Sequence, residues 1–331
     1  MGPRRTEPRL DRSVTLNFVG DWGMANFHRI CSWLTQQFCD RAGPESRVAI
    51  WNIRNGGIEA VVEVFTGEKQ LAIATPAQLM STALTGEGIF APYGPMPTLR
   101  ALAVLPQNDR MILAIDSKYG ISTFEELRRK KPALRIATSR NDGTNFIGYI
   151  AFAYMKAHGI TEETLLSWGG KFVTATRPEQ AFELVVNGEA DALLQEAIMT
   201  PWWEEVVERR KFIPLPAEED ALDRFMSEQA GAATPHKEPV PQGFWKSLSR
   251  PLPGLDFSDF VVLVREDLPE DIAYLLTWSL VETREMIERQ YRHLPPEKSP
   301  LSYPLQPRNM ARTPLPLHPG AKHYFTEAGY L

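Results

Sequence analysis

The sequence contains very little cysteine. Of its 331 residues only two are cysteines, Cys31 and Cys39, and both fall on one predicted helix. At the rise of an α-helix their Cα atoms would lie about 12 Å apart, which exceeds the ~7 Å that a disulfide can span. We therefore expect two free thiols. Free thiols are compatible with a reducing compartment but do not exclude an oxidising one.

Long apolar runs and dense basic runs are also missing. No apolar run approaches the ~20 residues that a membrane-spanning helix requires. The formal net charge is −5 and no long run of Lys and Arg occurs, so we do not expect a nucleic-acid-binding protein. Residues 1–12 are rich in Pro and Arg, which we interpret as a disordered lead-in, and no signal peptide is visible. Either a leader was removed from this chain or the chain works in the cytoplasm.

The short motifs of nucleotide-binding and hydrolytic enzymes are absent as well. The sequence has no G-x-G-x-x-G, no G-x-x-x-x-G-K-[ST], no G-x-S-x-G and no C-x-x-C. Its six histidines are scattered, and the spacing of His318 and His323 does not place both on one helical face, so we expect no metal and no cofactor. Paired glutamates such as Glu204 and Glu205 are interpreted as solvated helix charges. We therefore do not expect an enzyme.

The sequence does contain a regular alternation of apolar strands and amphipathic helices. Its length and its 43% hydrophobic content suffice for about two domains with substantial cores. Three β-turn-α units in succession follow Val14, which predicts a largely parallel sheet with covering helices. A second alternating block begins near Arg135. Residues 231–258 are rich in proline and give no clear element.

Two short apolar runs are candidates for strands that connect two lobes. They are MILAID, residues 111–116, and DFVVLVR, residues 259–265. With these as crossings, the first lobe would comprise residues 13–113 and 260–331, and the second residues 114–259. The fold class would then be α/β with a ligand cleft between two lobes. A tandem of two domains with a single linker is the alternative.

The stretch Arg135–Gly159 is the most informative part of the chain. A short apolar run leads into a polar turn, residues 138–144, and then into a helical pattern that stops at Gly159. This order points the free N–H groups of the helix, and the positive end of its dipole, at whatever occupies the turn. We interpret the turn as half of a binding site for a small anion. The alternative is that Asp142 or Thr144 merely caps the helix.

Polar turns also follow the other predicted strands. Ligands of open α/β sheets bind beyond the carboxyl ends of the strands, so two lobes with such edges face to face could close on a small molecule. Arg54 and Arg140 are the cations nearest these turns and could hold a carboxylate, although such residues more often lie on the surface. The candidate ligand-binding residues are Asp21, Trp22, Gly23, Met24, Asn26, Phe27, Asn55, Gly56, Thr75, Pro76, Arg140, Asn141, Asp142, Gly143, Thr144, Asn145, Glu196 and Trp202.

Aromatic residues near the predicted helix starts allow two interpretations. They could wall the cleft, or they could pack in the cores. These residues are Trp22, Phe27, Phe146, Trp202 and Trp203.

Several segments together resemble the solute-binding proteins of TAXI-type TRAP transporters. The matching segments, within residues 14–331, are NGGIEAVVEVFTGEKQLAIATPAQL, the region from RALAVLP to DGTN, NGEADALLQEA, DFVVLVREDLPEDIAYLLTWSL and the C-terminal LHPGAKHYFTEAGYL. The resemblance implies a two-lobed type II periplasmic-binding-protein fold, a small-molecule ligand, a fused TRAP membrane permease as partner and a periplasmic location. The ligand contacts that it implies come from Asp21–Phe27, Asn55–Gly57, Thr75–Ala77 and Asn141–Asn145.

One departure from that family concerns the turn after the first strand. Family members usually carry a glycine-rich turn with a tyrosine there, and they usually bind glutamate and related dicarboxylates. Here the turn reads GDWGMANF, with Phe27 near the expected tyrosine.

We expect a monomeric, non-enzymatic receptor that closes on a small organic anion. Two other functions remain open. A cytoplasmic ligand sensor would explain the lack of a visible leader, although no DNA-binding helix-turn-helix is attached. An enzyme of the thiamine-pyrimidine-synthase branch would share the fold, although the sequence lacks the cysteine-rich iron motif of that branch.

Overall fold

The structure is a computed structural model and describes residues 7–21, 26–53, 57–230 and 238–331. Its strands are β1 Thr15–Asp21, β2 Arg47–Ile53, β3 Leu71–Ala74, β4 Leu99–Leu105, β5 Arg110–Asp116, β6 Arg135–Ser139, β7 Lys171–Ala175, β8 Ala192–Gln195, β9 Phe212–Pro214, β10 Leu255–Asp256 and β11 Phe260–Arg265.

The α-helices are α1 Asn26–Cys39, α2 Ile58–Thr66, α3 Ser81–Thr85, α4 Phe124–Lys130, α5 Phe146–Ala157, α6 Glu162–Ser167, α7 Pro178–Val186, α8 Pro201–Glu204, α9 Glu219–Ala230, α10 Glu270–Glu282, α11 Arg284–Glu288, α12 Pro307–Met310 and α13 Pro319–Glu327. Short 3₁₀ turns lie at Ala77–Met80, Gly88–Phe90, Ser117–Tyr119 and Pro296–Lys298, and Glu205–Arg209 form a π-helix. No helix among the described residues is both long enough and apolar enough to cross a membrane.

The strands form two separate sheets, each the centre of one lobe. The first has the order β2-β1-β3-β11-β4, with β1 parallel to β2 and β3, and β11 antiparallel to β3 and β4. The second has the order β10-β5-β8-β6-β7, with β9 also paired to β5. In it β6 is parallel to β7 and β8. The predicted α/β class with two lobes is confirmed.

Two connections join the sheets, one between β4 and β5 and the other between β10 and β11. We name them the first connection, residues 106–109, and the second connection, residues 257–259. The first lobe denotes the described residues before the first connection and after the second, and the second lobe denotes those between them. The boundary that the sequence suggested between residues 113 and 114 falls inside β5, which pairs with β8, β9 and β10 of the second sheet.

One core of buried apolar residues belongs to the first lobe alone, and another extends through both lobes. Helices α1, α10 and α13 pack on one face of the first sheet around residues such as Phe38 and Tyr324. A second core is continuous through both lobes. Phe90 of the first lobe and Phe146 of the second meet edge to face within it, with ring centroids 5.7 Å apart. The lobes are therefore in apolar contact on the side of α3, α5 and α9.

Some local predictions from the sequence need correction. The predicted helix that carries both cysteines is α1, Asn26–Cys39, and the segment from Pro201 to Arg209 is a short α-helix followed by a π-helix. Strand β7 and helix α6 were not predicted. Both cysteines are free, as expected, with Cys31 buried and Cys39 half-buried.

Candidate functional site

The starts of two helices from different lobes meet at the candidate site. Gly57 precedes α2 in the first lobe and Asn145 precedes α5 in the second, and their backbones form a short antiparallel bridge. Gly57 has a φ of 96°, a conformation that glycine adopts without steric cost. The positive ends of two helix dipoles therefore lie close together at the boundary between the lobes.

The polar turn before α5 has an ordered internal structure. The side-chain oxygen of Asn145 accepts hydrogen bonds from the N–H groups of Ile147 (2.9 Å) and Gly148 (3.1 Å), so Asn145 is the N-cap. Asp142 Oδ1 accepts from the backbone N–H (3.1 Å) and the hydroxyl (2.7 Å) of Thr144. The alternative reading of Asp142 or Thr144 as the helix cap is therefore wrong.

The exposure of this turn changes along its length. Arg140, Asn141, Asp142 and Gly143 are exposed, whereas Asn145 is buried. The first turn of α5 lies directly beneath: a Cβ atom added at Gly148 would lie 1.6 Å from the carbonyl oxygen of Arg140. Glycine is therefore required at position 148 if the turn is to hold its position. The exposed half of the turn then faces outward.

Thr75, a predicted ligand contact, lies where β3 meets both connections. Its hydroxyl donates to the carbonyl of Asp259 (3.0 Å) and accepts from the side-chain amide of Gln107 (3.1 Å). Pro76 is buried, and the N–H of Ala77 donates to the carbonyl of Ser258 (3.1 Å). These contacts give Thr75 a structural position at the joint between the lobes.

The structure describes some of the candidate residues that follow β1 and leaves others outside the described ranges. Asn26 is held within the first lobe, since its Oδ1 accepts from the Tyr291 hydroxyl (2.6 Å) and its Nδ2 donates to the Pro300 carbonyl (2.8 Å). Phe27 is buried and packs edge to face on Phe260, with centroids 5.2 Å apart. Asp21 ends β1. The predictions for Trp22, Gly23, Met24, Arg54, Asn55 and Gly56 fall outside the described residues.

Most of the described aromatic candidates pack in cores. Trp203 is buried and stacks on Trp245 at 5.5 Å, and Phe146 belongs to the core shared by the lobes. Trp202 differs from both, because it is 44% exposed and lies 5.5 Å from the ring of Phe182. The core-packing interpretation therefore fits Trp203 and Phe146, and Trp202 keeps an accessible face.

A pair of acidic side chains lies at the joint between the lobes. Asp109, at the end of the first connection, is 1% exposed and interacts with Glu196, the half-buried residue after β8. The Asp109 carboxylate also accepts from the N–H groups of Arg110 (2.7 Å), Ala197 (2.9 Å) and Ile198 (3.1 Å). Glu196 was a predicted site residue, and Asp109 was not.

Burial raises the pKa of both carboxyl groups. The charge of Asp109 raises the pKa of Glu196 further, whereas the hydrogen bonds to Asp109 act in the opposite direction on its own pKa. Arg110 is almost fully buried beside the pair, and its Nη1 lies 3.9 Å from Asp256 Oδ1. The Arg110 guanidinium is thus attracted to Asp256, Asp109 and Asp259.

Two buried polar atoms lie at the carboxyl ends of strands in the second lobe. Thr138 Oγ1 and Gln195 Oε1 belong to residues with no exposed surface, and neither has a hydrogen-bond partner among the described residues. The Gln195 amide nitrogen donates to the Ser139 hydroxyl (2.9 Å). The strand ends thus retain hydrogen-bonding capacity that the described residues leave unused.

The buried histidines have structural partners. His158 Nδ1 lies 2.8 Å from the Tyr154 carbonyl, and its Nε2 accepts from the N–H of Glu218 (3.2 Å). His318 caps α13 by accepting from the N–H of Gly320 (3.1 Å). Within the described part of the chain, no group of three or more His, Cys, Asp or Glu side chains could hold a metal ion.

Comparison with solved structures identifies the fold. MatC from Rhodopseudomonas palustris with bound malate superposes with a TM-score of 0.56 at 12% identity, covering 96% of this chain and 97% of that chain. A structure described as a periplasmic transporter gives 0.54 at 12% identity, covering 100% and 96%. The periplasmic binding protein BugD gives 0.54 at 10% identity, covering 97% and 98%. The chain thus has the two-lobed periplasmic-binding-protein fold.

The sequence comparisons differ in what they find. A search of curated proteins found no significant match. The sequence model of the NMT1-like family matches residues 39–329, which include most of both lobes and both connections. The chain therefore belongs to the NMT1-like family.

Proposed function

We propose that this chain is the solute-binding receptor of a TRAP-type transporter of the TAXI kind. Its two lobes close around a small organic anion, either a carboxylate or an amino-acid-like molecule. The observation that carries the proposal is the meeting of Gly57 and Asn145, which brings helix starts from both lobes to one place. Helix starts favour anions because their free N–H groups and dipoles both attract negative charge.

Charge near this place supports an anionic ligand. Arg140 is an exposed cation in the turn before α5, beside the two helix starts. Malate is bound to MatC, which has the same fold.

The proposed partner and location follow from the same role. A receptor of this kind delivers its ligand to a membrane permease, which we propose is a fused TRAP permease, and it works in the periplasm. A cytoplasmic ligand sensor or an enzyme on this fold is the alternative.

A thermal-shift screen of dicarboxylates, amino acids and aromatic acids tests the proposal. A ligand at a hundredfold excess over its dissociation constant stabilises a receptor by about 2.7 kcal/mol. We expect at least one of these classes to raise the melting temperature and to be recovered unchanged. Product in the same mixture would favour the enzyme, and the absence of any shift across the three classes would contradict the proposal.

The Arg140→Ala variant tests the place of binding. We expect affinity for the molecule found in the screen to fall about tenfold, the effect of losing one charge-assisted hydrogen bond. Because Arg140 is exposed, the stability of the empty protein should change by less than about 0.5 kcal/mol. Isothermal titration calorimetry measures the affinity.

Arg209→Ala is the matched control, since Arg209 is an exposed arginine of the same lobe that is 79% accessible and pairs with Glu205 one turn away. The Arg209→Ala variant should bind the molecule found in the screen with the same affinity as the protein without substitutions. Equal losses in the two variants would show a general charge effect rather than a contact at the turn.

A further inference from the structure

A cavity of about 330 Å³ lies in the second lobe, between strand β9 and residues 247–252. We name it the β9 cavity. All the described residues that line it belong to the second lobe, and none is a candidate residue of the site between the lobes. Strand β9 pairs with residues 114–116 of β5, whereas the joint between the lobes lies at the other end of β5. From Arg110 to Ile115 an extended strand runs about 17 Å, so the cavity is separate from the candidate site.

The lining of the β9 cavity is largely apolar. Its apolar residues are Val207, Ile213, Pro214, Pro216, Leu248 and Leu252. Pro214 and Pro216 carry no N–H group, and the N–H of Leu215 between them donates to the Leu113 carbonyl (2.8 Å). This stretch therefore offers few main-chain donors to an added strand. A small molecule with an apolar body suits the cavity better than an extended peptide does.

The helix beside the cavity is irregular at the same place. Glu205–Arg209 form a π-helix, and the N–H of Arg210 donates to the Glu205 carbonyl (3.0 Å), five residues earlier. Val207, in the middle of this π-helix, lines the cavity. Single π-turns within helices occur frequently at functional sites. The irregular helix is therefore a second feature, besides the cavity itself, that points to a binding site here.

The polar part of the lining provides a cation. Among the described residues that line the cavity, Arg250 is the only charged one. It is exposed, and within the described part of the chain no residue forms an ion pair or a side-chain hydrogen bond with it. Its N–H donors can therefore bind a carboxylate through two parallel hydrogen bonds. Ser249, the preceding residue, adds a hydroxyl group to the lining.

Two glutamates near the cavity are bound by serines of its lining. The N–H and the hydroxyl of Ser247 donate to Glu208 Oε1 (2.8 and 3.0 Å). The N–H and the hydroxyl of Ser122 donate to Glu126 Oε2 (2.8 and 3.0 Å). These donors stabilise both carboxylates, and neither glutamate lines the cavity. Arg250 is therefore the charged group that a molecule in the cavity meets.

We propose that the β9 cavity is a second binding site, which takes a small monocarboxylate with an apolar body. The carboxylate binds Arg250, and the apolar body contacts Ile213, Pro214 and Leu248. At about 30 Å³ for each water molecule, a cavity of 330 Å³ corresponds to about eleven waters, which suits a molecule the size of benzoate. Release of water from the apolar lining favours binding. Because its residues all lie in one lobe, this site does not depend on the proposed receptor function.

A methyl-resolved NMR titration of the full chain with benzoate tests the proposal. We expect the methyl resonances of Ile213 and Leu248 to shift, with a dissociation constant on the order of 1 mM, an ordinary affinity for so small a ligand. Ile58 and Ile147 lie at the helix starts of the site between the lobes, so their methyl groups report binding there. Shifts confined to Ile58 and Ile147 would overturn the proposal. Unchanged Ile213 and Leu248 resonances at about tenfold that concentration would overturn it as well.

The Arg250→Gln variant tests the contact with the carboxylate. Because Arg250 is exposed, the variant should fold like the unchanged protein. Its affinity for benzoate, measured on the Ile213 methyl group, should fall at least about tenfold through loss of a charged hydrogen-bonded contact. Lys246→Gln is the matched control, since Lys246 is an exposed cation that does not line the cavity, and its affinity should stay within about twofold. Equal losses in the two variants contradict the proposal.

Benzamide provides a comparison that does not depend on any variant. It has the shape of benzoate without the charge, so it should bind the unchanged protein at least about tenfold more weakly. Benzamide should also bind Arg250→Gln and the unchanged protein alike. Equal affinity of the unchanged protein for benzoate and benzamide would refute the role of Arg250.

Discussion

At the residue scale, His158 shows how burial changes the chemistry of one side chain. It stacks on Phe124, with ring centroids 3.7 Å apart, and both of its nitrogens have partners. Burial lowers the pKa of His158 to about 4, although the hydrogen bond to the Tyr154 carbonyl acts in the opposite direction. The neutral imidazole is therefore part of the folded core.

The pH dependence of stability follows from this pKa. Unfolded histidine has a pKa near 6.5, so between pH 6.5 and pH 4 the unfolded chain binds more protons at His158 than the folded chain does. This group should therefore destabilise the protein progressively as pH falls through that window, by about 3 kcal/mol in all. Denaturant unfolding at several pH values measures the effect.

The His158→Gln variant isolates the contribution of this residue. It should be less stable than the unchanged protein at pH 7, because the stacking on Phe124 is lost, and its stability should depend less steeply on pH between 6.5 and 4. His323→Gln replaces an exposed histidine and is measured alongside as the comparison variant. A slope unaffected by His158→Gln would show that another group titrates in this window.

Cysteine reactivity provides a second residue-scale prediction. Burial raises the pKa of the Cys31 thiol to about 12, and Cys31 is fully enclosed in the first lobe. Since the thiolate is the reacting form, alkylation at pH 8 should modify Cys39 and leave Cys31 intact. Mass spectrometry after iodoacetamide treatment checks this, with denatured protein as the control in which both react. Modification of Cys31 in the native protein at a comparable rate would argue against its burial.

At the scale of elements, helix α5 and the turn before it form one unit. Gly148 lies under the Arg140 carbonyl so closely that no side chain fits between them. We expect Gly148→Ala to destabilise the protein by about 1–3 kcal/mol, because the turn must move to admit the methyl group. Chemical denaturation measures the loss, and Lys156→Ala on the exposed face of α5 is the control. A stable Gly148→Ala protein would mean that the turn is easily displaced.

The elements that the sequence predicted are those with strong local patterns. The pattern of residues 135–159 predicted the strand, the turn and the helix correctly, and Gly159 follows the C-cap His158 with a φ of 74°. Strand β7 was missed because it is an edge strand with mixed exposure and no alternation of apolar and polar residues. Helix α6 has only six residues, too few for a helical period to be recognisable.

The candidate site was less predictable because its contacts are not local. Asp109 and Glu196 lie far apart in the sequence, and no periodicity relates them. The sequence signal for a polar joint was the segment QNDR, which stands between two apolar runs and contains one acidic and one basic residue. Asn26 begins α1 and Thr75 follows β3, and both are polar, as a ligand site requires. Their side chains, however, bind partners that come from distant parts of the chain.

At the scale of the whole molecule, the two lobes are not independent. The core that contains Phe90 and Phe146 continues from one sheet to the other, beside the two connections. An opening motion that preserved this core would pivot about the side of α3, α5 and α9.

Shared packing predicts cooperative unfolding. Calorimetry of the empty protein should show a single transition, with a calorimetric enthalpy close to the van't Hoff value. Phe90→Ala, which removes a fully buried ring from the shared core, should lower stability by about 3–5 kcal/mol and broaden or split the transition. Tyr93→Ala removes an exposed ring nearby and is the control. Two well-separated transitions in the unchanged protein would contradict the coupling of the lobes.

The bridge between Gly57 and Asn145 has one more consequence. It is formed by main-chain groups, so its geometry is indifferent to most side chains around it, provided that position 57 remains glycine. If the proposed function holds, substitutions in the neighbouring turns can alter which solute binds and leave this bridge intact. The solute preference of the proposed receptor and the contact between its lobes can then evolve separately.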